Sequence, residues 1–204
     1  MKIICIGRNY VAHANELNNE IPDEPVLFLK PDSALLRNNE PFYIPDWSND
    51  LHHEVELIVK ICKVGKNIEK KFAHRYYKEI GLGIDFTARD LQNELKDKGL
   101  PWEKSKAFDH SAVVCREFVP VDSFANRNAI QFRLEINGKT VQEGNTELMI
   151  FPVDEIIAHV SKYFTLKIGD LIYTGTPAGV GPVKIGDHLE GYLEGEKMFD
   201  FLVK

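Results

Sequence analysis

LHHEVELIVKI, residues 51–61, carries charge inside a stretch that otherwise reads as β-strand. Val55, Leu57, Ile58 and Val59 are strand formers, and Glu54 and Glu56 stand two apart among them. Side chains at i and i+2 leave a strand on the same face. Two carboxylates held that close repel, and one resists ionisation unless a cation sits between them. A hard divalent metal supplies that cation, because it prefers carboxylate oxygen. A second apolar run, within GIDFTARD at 83–90, ends on Asp85, the natural third ligand. Three carboxylates without cysteine favour Mg²⁺ or Mn²⁺ over zinc. The plainer alternative is a solvated strand face and an unrelated aspartate, and the residues alone leave both open.

Bulk properties bound the rest. The 204 residues, 44% hydrophobic, suffice for one sizeable core, so a single domain over 1–204 is expected. The net charge is −6 and no basic block stands out, which argues against nucleic acid or an anionic membrane as partner. Cys5, Cys62 and Cys115 are odd in number, far apart and without metal-ligand spacing, as in a reducing compartment. The opening MKIICIGRNY has too short an apolar run for a secretory signal, and nothing approaches the roughly 20 apolar residues of a membrane span. The cytoplasm is the expected location.

Along the chain, strands are expected over 2–6, 26–29, 51–64, 79–86, 130–136, 139–142, 171–174, 188–193 and 198–203. Helices are expected over 9–18, 68–78, 87–98 and 152–164, with a polar loop over 18–25. Thr87 reads as an N-cap with Asp90 completing a capping box. Gly99-Leu100-Pro101 ends that helix, and Asn137-Gly138 is a type I′ hairpin turn. The pattern is a strand-rich α+β fold with peripheral helices.

Several groups carry possible chemistry. His13 and Glu16 are three apart on the first helix, so the carboxylate can orient the imidazole and raise its basicity; a surface pair is the alternative. Arg89 and Gln92 share a helix face beyond Asp85, where an arginine could grip a carboxylate in bidentate fashion, although Asp90 and Glu94 are also in reach. Lys106 sits among mixed charges and reads as solvated. TGTPAGVGP, 174–182, lacks the lysine and hydroxyl of a P-loop. Its amides and the Thr176 hydroxyl could hold a small anion, or it is a tight connection. The other histidines read as structural, His53 with a place near the metal, and Cys62 and Cys115 as buried.

Taken together, IGRNYVAHANEL, PVLFLKP, LHHEVELIV, GIDFTARDLQNELKDKGLPWEKSKAFD, INGKTVQEGNTELMIF and GDLIYTGTPAGVGPVKIGD resemble the fumarylacetoacetate hydrolase family, and most closely its acylpyruvase and oxaloacetate decarboxylase branch. They span 6–187 in the family's order. The resemblance implies a mixed β-sandwich or β-roll core with the site in its mouth. It implies Mg²⁺ or Mn²⁺ on Glu54, Glu56 and Asp85, and a catalytic His13–Glu16 dyad on a lid. Arg89, Gln92, Lys106 and Thr176 fall on substrate-binding positions, with Lys106 also catalytic. A homodimer acting on a small 2-oxo acid is implied. Residues 18–23 depart from the family pattern, which bears on lid geometry and substrate choice.

The expected chemistry is hydrolysis of an acylpyruvate to pyruvate and a carboxylic acid through a metal-stabilised enolate. The same enolate arises in decarboxylation or enol–keto tautomerisation of oxaloacetate, or in isomerisation of an unsaturated 2-hydroxy dioic acid. A metal-stabilised binding protein is the non-enzyme alternative.

Overall fold

The strand Val55–Ile61 is apolar on both faces because it is covered on both. Val55, Leu57, Val59 and Ile61 enter the large core, whereas Ile58 belongs to a smaller cluster on the opposite face with Ile3, Cys5, Ala112, Leu171 and Tyr173. Its partner Tyr77–Asp85 repeats the alternation, with Ile80, Leu82 and Ile84 in the large core. Gly81, Gly83 and Asp85 take the other phase. The computed structural model describes residues 1–17 and 19–204.

The main sheet is mixed. From one edge it runs β2 (Val26–Lys30), β1 (Ile3–Gly7), β12 (Leu171–Tyr173), β5 (Val55–Ile61), β6 (Tyr77–Asp85), β8 (Ala112–Val114) and β3 (Leu35–Leu36), with β9 (Val119–Pro120) also on β6. The β1–β12 and β3–β8 pairs are parallel and the others antiparallel. A second, antiparallel sheet has the order β11 (Lys139–Asn145), β10 (Gln131–Ile136), β14 (His188–Leu193) and β15 (Glu196–Leu202). Its Phe132, Leu134, Leu189, Phe199 and Phe201 meet Leu57 and Leu82 of the main sheet in the large core. A small sheet joins β13 (Gly181–Pro182), β4 (Leu51–His53) and β7 (Thr87–Ala88). Helices α1 (Val11–Glu16), α2 (Arg89–Asp97), α3 (Glu103–Lys106) and α4 (Val153–Tyr163) lie outside the sheets. Among the described residues no helix is long and apolar enough to cross a membrane. The strand-rich α+β architecture is thus as expected.

Four local expectations are corrected. The strand expected over 51–64 is two strands, and the chain changes sheet at Glu54. The helix expected over 68–78 is a short 3₁₀ turn, Lys70–Arg75, because Tyr77 already pairs with Ile61 and the sheet outweighs a six-residue helix. Thr87 is not an N-cap: it pairs with His52 in the small sheet, and Asp90 accepts instead from Ser48 Oγ (2.8 Å) and Asn49 N (2.9 Å). Cys62 ends just outside β5 and is only partly buried, unlike Cys115. Asn137 and Gly138 (φ 53° and 75°) form the expected hairpin turn. Asn18, shared by the expected helix and the loop after it, lies outside the described residues.

Gly83 has a steric reason. A Cβ there would stand 2.0 Å from Val113 O and 2.5 Å from Ile58 Cδ1. Gly83→Ala therefore forces β6 away from β8 and is expected to cost at least about 2–3 kcal/mol in urea unfolding; an unchanged midpoint would contradict this packing.

Candidate metal centre and substrate cleft

The register of β5 on β6 sets the site. Glu56 lies opposite Gly83, and Asp85 N donates to Glu54 O at 2.8 Å where the chain leaves the main sheet. Glu54, Glu56 and Asp85 are all buried, and one carboxylate oxygen of each lies within 4.8 Å of the others. The solvated-face alternative is thereby excluded, and the three expected ligands do converge.

The structure balances these charges with buried cations. Lys106 Nζ stands 2.7 Å from Glu54 Oε2, 2.7 Å from Asp85 Oδ2 and 2.5 Å from Thr87 Oγ1. The lysine expected to be solvated is thus a buried counter-ion at the end of α3. Lys30, fully buried at the end of β2, lies 2.7 Å from Asp85 Oδ1 and donates to Ser111 Oγ (2.9 Å), Ser111 O and Lys106 O. Arg89 pairs with Glu54 and donates to Gln92 Oε1 at 2.5 Å, rather than turning to Asp90 or Glu94. Burial opposes ionisation of Glu54, but Lys106, Arg89 and His13 outweigh it and hold its carboxyl well below the usual range. Glu56 goes the other way: burial, then Asp85 and Glu54, push it well above that range, against one amide bond from Gly175 N at 2.7 Å. Burial disfavours the Lys106 charge, yet Asp85 and Glu54 more than restore it.

The donor set fits a hard divalent cation. Every donor is carboxylate oxygen. Asp85 Oδ1 is buried and receives no properly directed hydrogen bond, although Lys30 Nζ is within ion-pair distance. A second cluster, His188, Glu190 and Asp200, is more exposed and already neutralised by Lys197. We assign no metal role to it.

His13 and Glu16 come together as expected, with Nδ1 3.4 Å from Oε2. Their electrostatics differ from expectation. Burial lowers the His13 pKa and outweighs the raising effects of Glu54 and Glu16, so the imidazole is held neutral at pH 7. Glu16 also accepts from Gly179 N at 3.0 Å, which ties α1 to the 174–182 loop. Asn9 makes a second tie, bonding Thr174 O (2.8 Å) and both polar atoms of the Phe151 backbone. The loop amides thus hold the protein's own carboxylates, Glu16 and Glu56. Thr176 Oγ1 donates to Val55 O at 2.9 Å and accepts from Gln142 Nε2 at 2.8 Å. His53 sits nearby on Gln142 Oε1 at 2.8 Å.

One narrow cleft brings His13, Glu54, Glu56, Asp85, Arg89, Gln92, Lys106 and Thr176 to one wall system. Glu16 does not line it and acts through His13. Sequence reasoning missed Lys30 and Gln142. The only signal for Lys30 was its phase, two residues beyond Phe28 on an otherwise apolar strand; Gln142, in a hairpin strand, had none.

Asp85→Asn removes the counter-charge of two buried ammonium groups. Unpairing a buried ion costs about 3–5 kcal/mol, so urea unfolding of the metal-free protein is expected to shift by that amount. A shift below about 1 kcal/mol would mean that solvent reaches the cluster.

The fumarylacetoacetate (FAA) hydrolase C-terminal model matches residues 2–198. Mouse oxaloacetate tautomerase FAHD1, mitochondrial, is 45% identical over 99% of this chain and 91% of its own length. The oxaloacetate decarboxylase, mitochondrial, of Dictyostelium discoideum is 44% identical over 100% and 94%. Among solved structures, fumarylpyruvate hydrolase from Pseudomonas aeruginosa, in complex with Mn²⁺ and pyruvate, superposes with a TM-score of 0.93 at 32% identity, covering 100% of this chain and 89% of that one. A fumarylacetoacetate hydrolase family protein from Yersinia pestis gives 0.95 at 39%, covering 100% and 93%. The chain is an enzyme of the fumarylacetoacetate hydrolase family.

Proposed function

We propose that this enzyme interconverts the enol and keto forms of oxaloacetate, with Mg²⁺ or Mn²⁺ on Glu54, Glu56 and Asp85. One observation carries the reading: a buried histidine and a carboxylate cluster of divalent-metal type face the same small cleft. The names of the mouse and Escherichia coli relatives, both oxaloacetate tautomerases, point the same way, the latter at 39% identity. A divalent ion held by Glu54, Glu56 and Asp85 would supply Lewis acidity toward the 2-keto group.

The chain's own residues do the rest. Arg89, braced by Gln92, offers a fork to the carboxylate beside the keto group. Lys106 supplies a cation next to the reacting oxygen, and Thr176 a hydroxyl. With Nδ1–H donated to Glu16, the neutral His13 carries its lone pair on Nε2, which takes the proton of the enol hydroxyl and then delivers it to C3; the imidazole ends as it began, and no other bond breaks. Opening and closing of α1, which carries both residues of the dyad, admits substrate and excludes water.

Hydrolysis of an acylpyruvate is the second reading, favoured by the same dyad: His13 would take a proton from water, which adds to the distal carbonyl, and the carbon–carbon bond breaks to pyruvate and an acid. Decarboxylation of oxaloacetate, the activity in the Dictyostelium relative's name, needs no water activation. A homodimer belongs to the proposal, with a two-chain particle in light scattering as its test. A reducing, cytoplasmic location is supported by three free cysteines, although the mouse and Dictyostelium relatives are named mitochondrial.

Enol oxaloacetate followed in the ultraviolet with added Mg²⁺ or Mn²⁺ separates these reactions. We expect loss of enol absorbance without pyruvate release; pyruvate appearing at the same rate would move the assignment to decarboxylation, and release from acetylpyruvate alone to hydrolysis. His13→Ala is expected to lower the rate about 10²–10⁴-fold while metal binding persists. Parent-rate turnover by that variant would sink the dyad. Because the folded His13 pKa is lowered, the base stays neutral until the pH falls below 6.5. The acid limb of kcat/KM is therefore expected below pH 6.5, and a limb above pH 7 would contradict the burial argument.

A further inference from the structure

Not every cation in the cleft is used by the chemistry above. Arg89 and Lys106 are paired with Glu54 and Asp85, but Arg8 and Lys96, which line the same cleft, pair with no carboxylate among the described residues. Both are half-buried. Lys96 follows Arg89 and Gln92 at i+7 and i+4 on α2, so all three occupy one helical stripe. Its ammonium lies against the Trp102 ring, 5.8 Å from the centroid. Arg8 follows β1 directly and holds a left-handed backbone, φ 59°. An arginine rarely adopts that conformation, and such positions cluster where a side chain must be aimed. Burial, then the charges of Arg89, Arg8 and Lys106, pull the Lys96 pKa down to about 8. Like charges are thus gathered where, among the described residues, neither cation has a carboxylate in ion-pair contact, and Glu54 offsets them at Lys96 only from a distance.

We propose that Arg8 and Lys96 form a second anion cradle that takes the distal carboxylate of a dicarboxylate 2-oxo acid, while Arg89 takes the proximal one. This deepens the proposed function and rests on it for the placing of the proximal end. Acetylpyruvate carries a neutral acyl group at the distal position and leaves the cradle unfilled. A four-carbon diacid fills it. The two cations therefore select dianionic over monoanionic substrates, because each is partly desolvated in the cleft and a distal carboxylate supplies the charged hydrogen bonds that water supplies incompletely there.

The test is calorimetric and separates the cradle from the reaction. Mn²⁺-loaded protein is titrated with 3,3-difluorooxaloacetate, a diacid that cannot enolise, and with pyruvate, which has no distal carboxylate. Arg8→Asn suits the left-handed backbone, and Lys96→Met keeps the helix and the apolar stem. Each is expected to weaken the diacid about 10- to 100-fold, the loss of one charged hydrogen bond, and pyruvate by less than about threefold. Lys96→Arg is expected to retain the diacid. Retained pyruvate binding shows that the variants fold. Equal weakening of both ligands, no weakening of either, or a parent that binds the diacid no better than pyruvate would overturn the cradle. A parent that prefers the diacid but leaves oxaloacetate enol unconverted would overturn the reaction and leave the cradle standing.

Discussion

Three carboxylates and three cations are packed into one buried cluster, and the arrangement of the surrounding chain follows from keeping them balanced. Two unit charges about 4 Å apart interact by about 4 kcal/mol at an effective dielectric of about 20. Repulsion among Glu54, Glu56 and Asp85 is therefore comparable to a large part of a domain's net stability. Lys106 bridges Glu54 and Asp85, Lys30 backs Asp85 and Arg89 backs Glu54. Glu56 has only an amide partner and resists ionisation. The ammonium of Lys106 holds together two of the three groups that a divalent ion would draw together. A metal that enters must outcompete it, and the lysine is then available to an anionic substrate.

The scaffold supports that cluster from both sides. Odd-numbered residues of β5 anchor the main sheet in the large core, while the even phase takes the opposite face, Ile58 in the smaller apolar cluster and Glu56 in the carboxylate cluster. Gly83 opposite Glu56 allows β8 to approach, and the 174–182 loop fastens Glu56 from one side and Glu16 from the other. The same loop therefore connects the carboxylate cluster to the His13–Glu16 pair on α1. Glu54 and Asp85 are held by the backbone bond between them and by the β5–β6 pairing beside it, and His13 by a separate element, α1.

Much of this was legible in the chain. Two glutamates at strand spacing, and an aspartate ending a glycine-bearing strand, locate the cluster, because strand geometry fixes which faces they take. His13 and Glu16 were legible as a helical pair, but not the sign of the His13 shift, which depends on burial contributed by distant elements. Lys106 and Lys30 were not legible as counter-ions: an isolated lysine reads as solvated, and only tertiary packing brings α3 and β2 to Asp85. The sheet change at Glu54 was hidden because alternation continues through it. The 3₁₀ turn at Lys70–Arg75 was read as helix because local periodicity does not register the pairing of Tyr77 with Ile61.

The most direct test is an anomalous difference map from crystals of the protein grown with Mn²⁺. One strong peak is expected per chain, in contact with carboxylate oxygens of Glu54, Glu56 and Asp85, with the Lys106 ammonium displaced from between Glu54 and Asp85. A peak elsewhere, or Lys106 still bridging the two acids with no ion among them, would contradict the account.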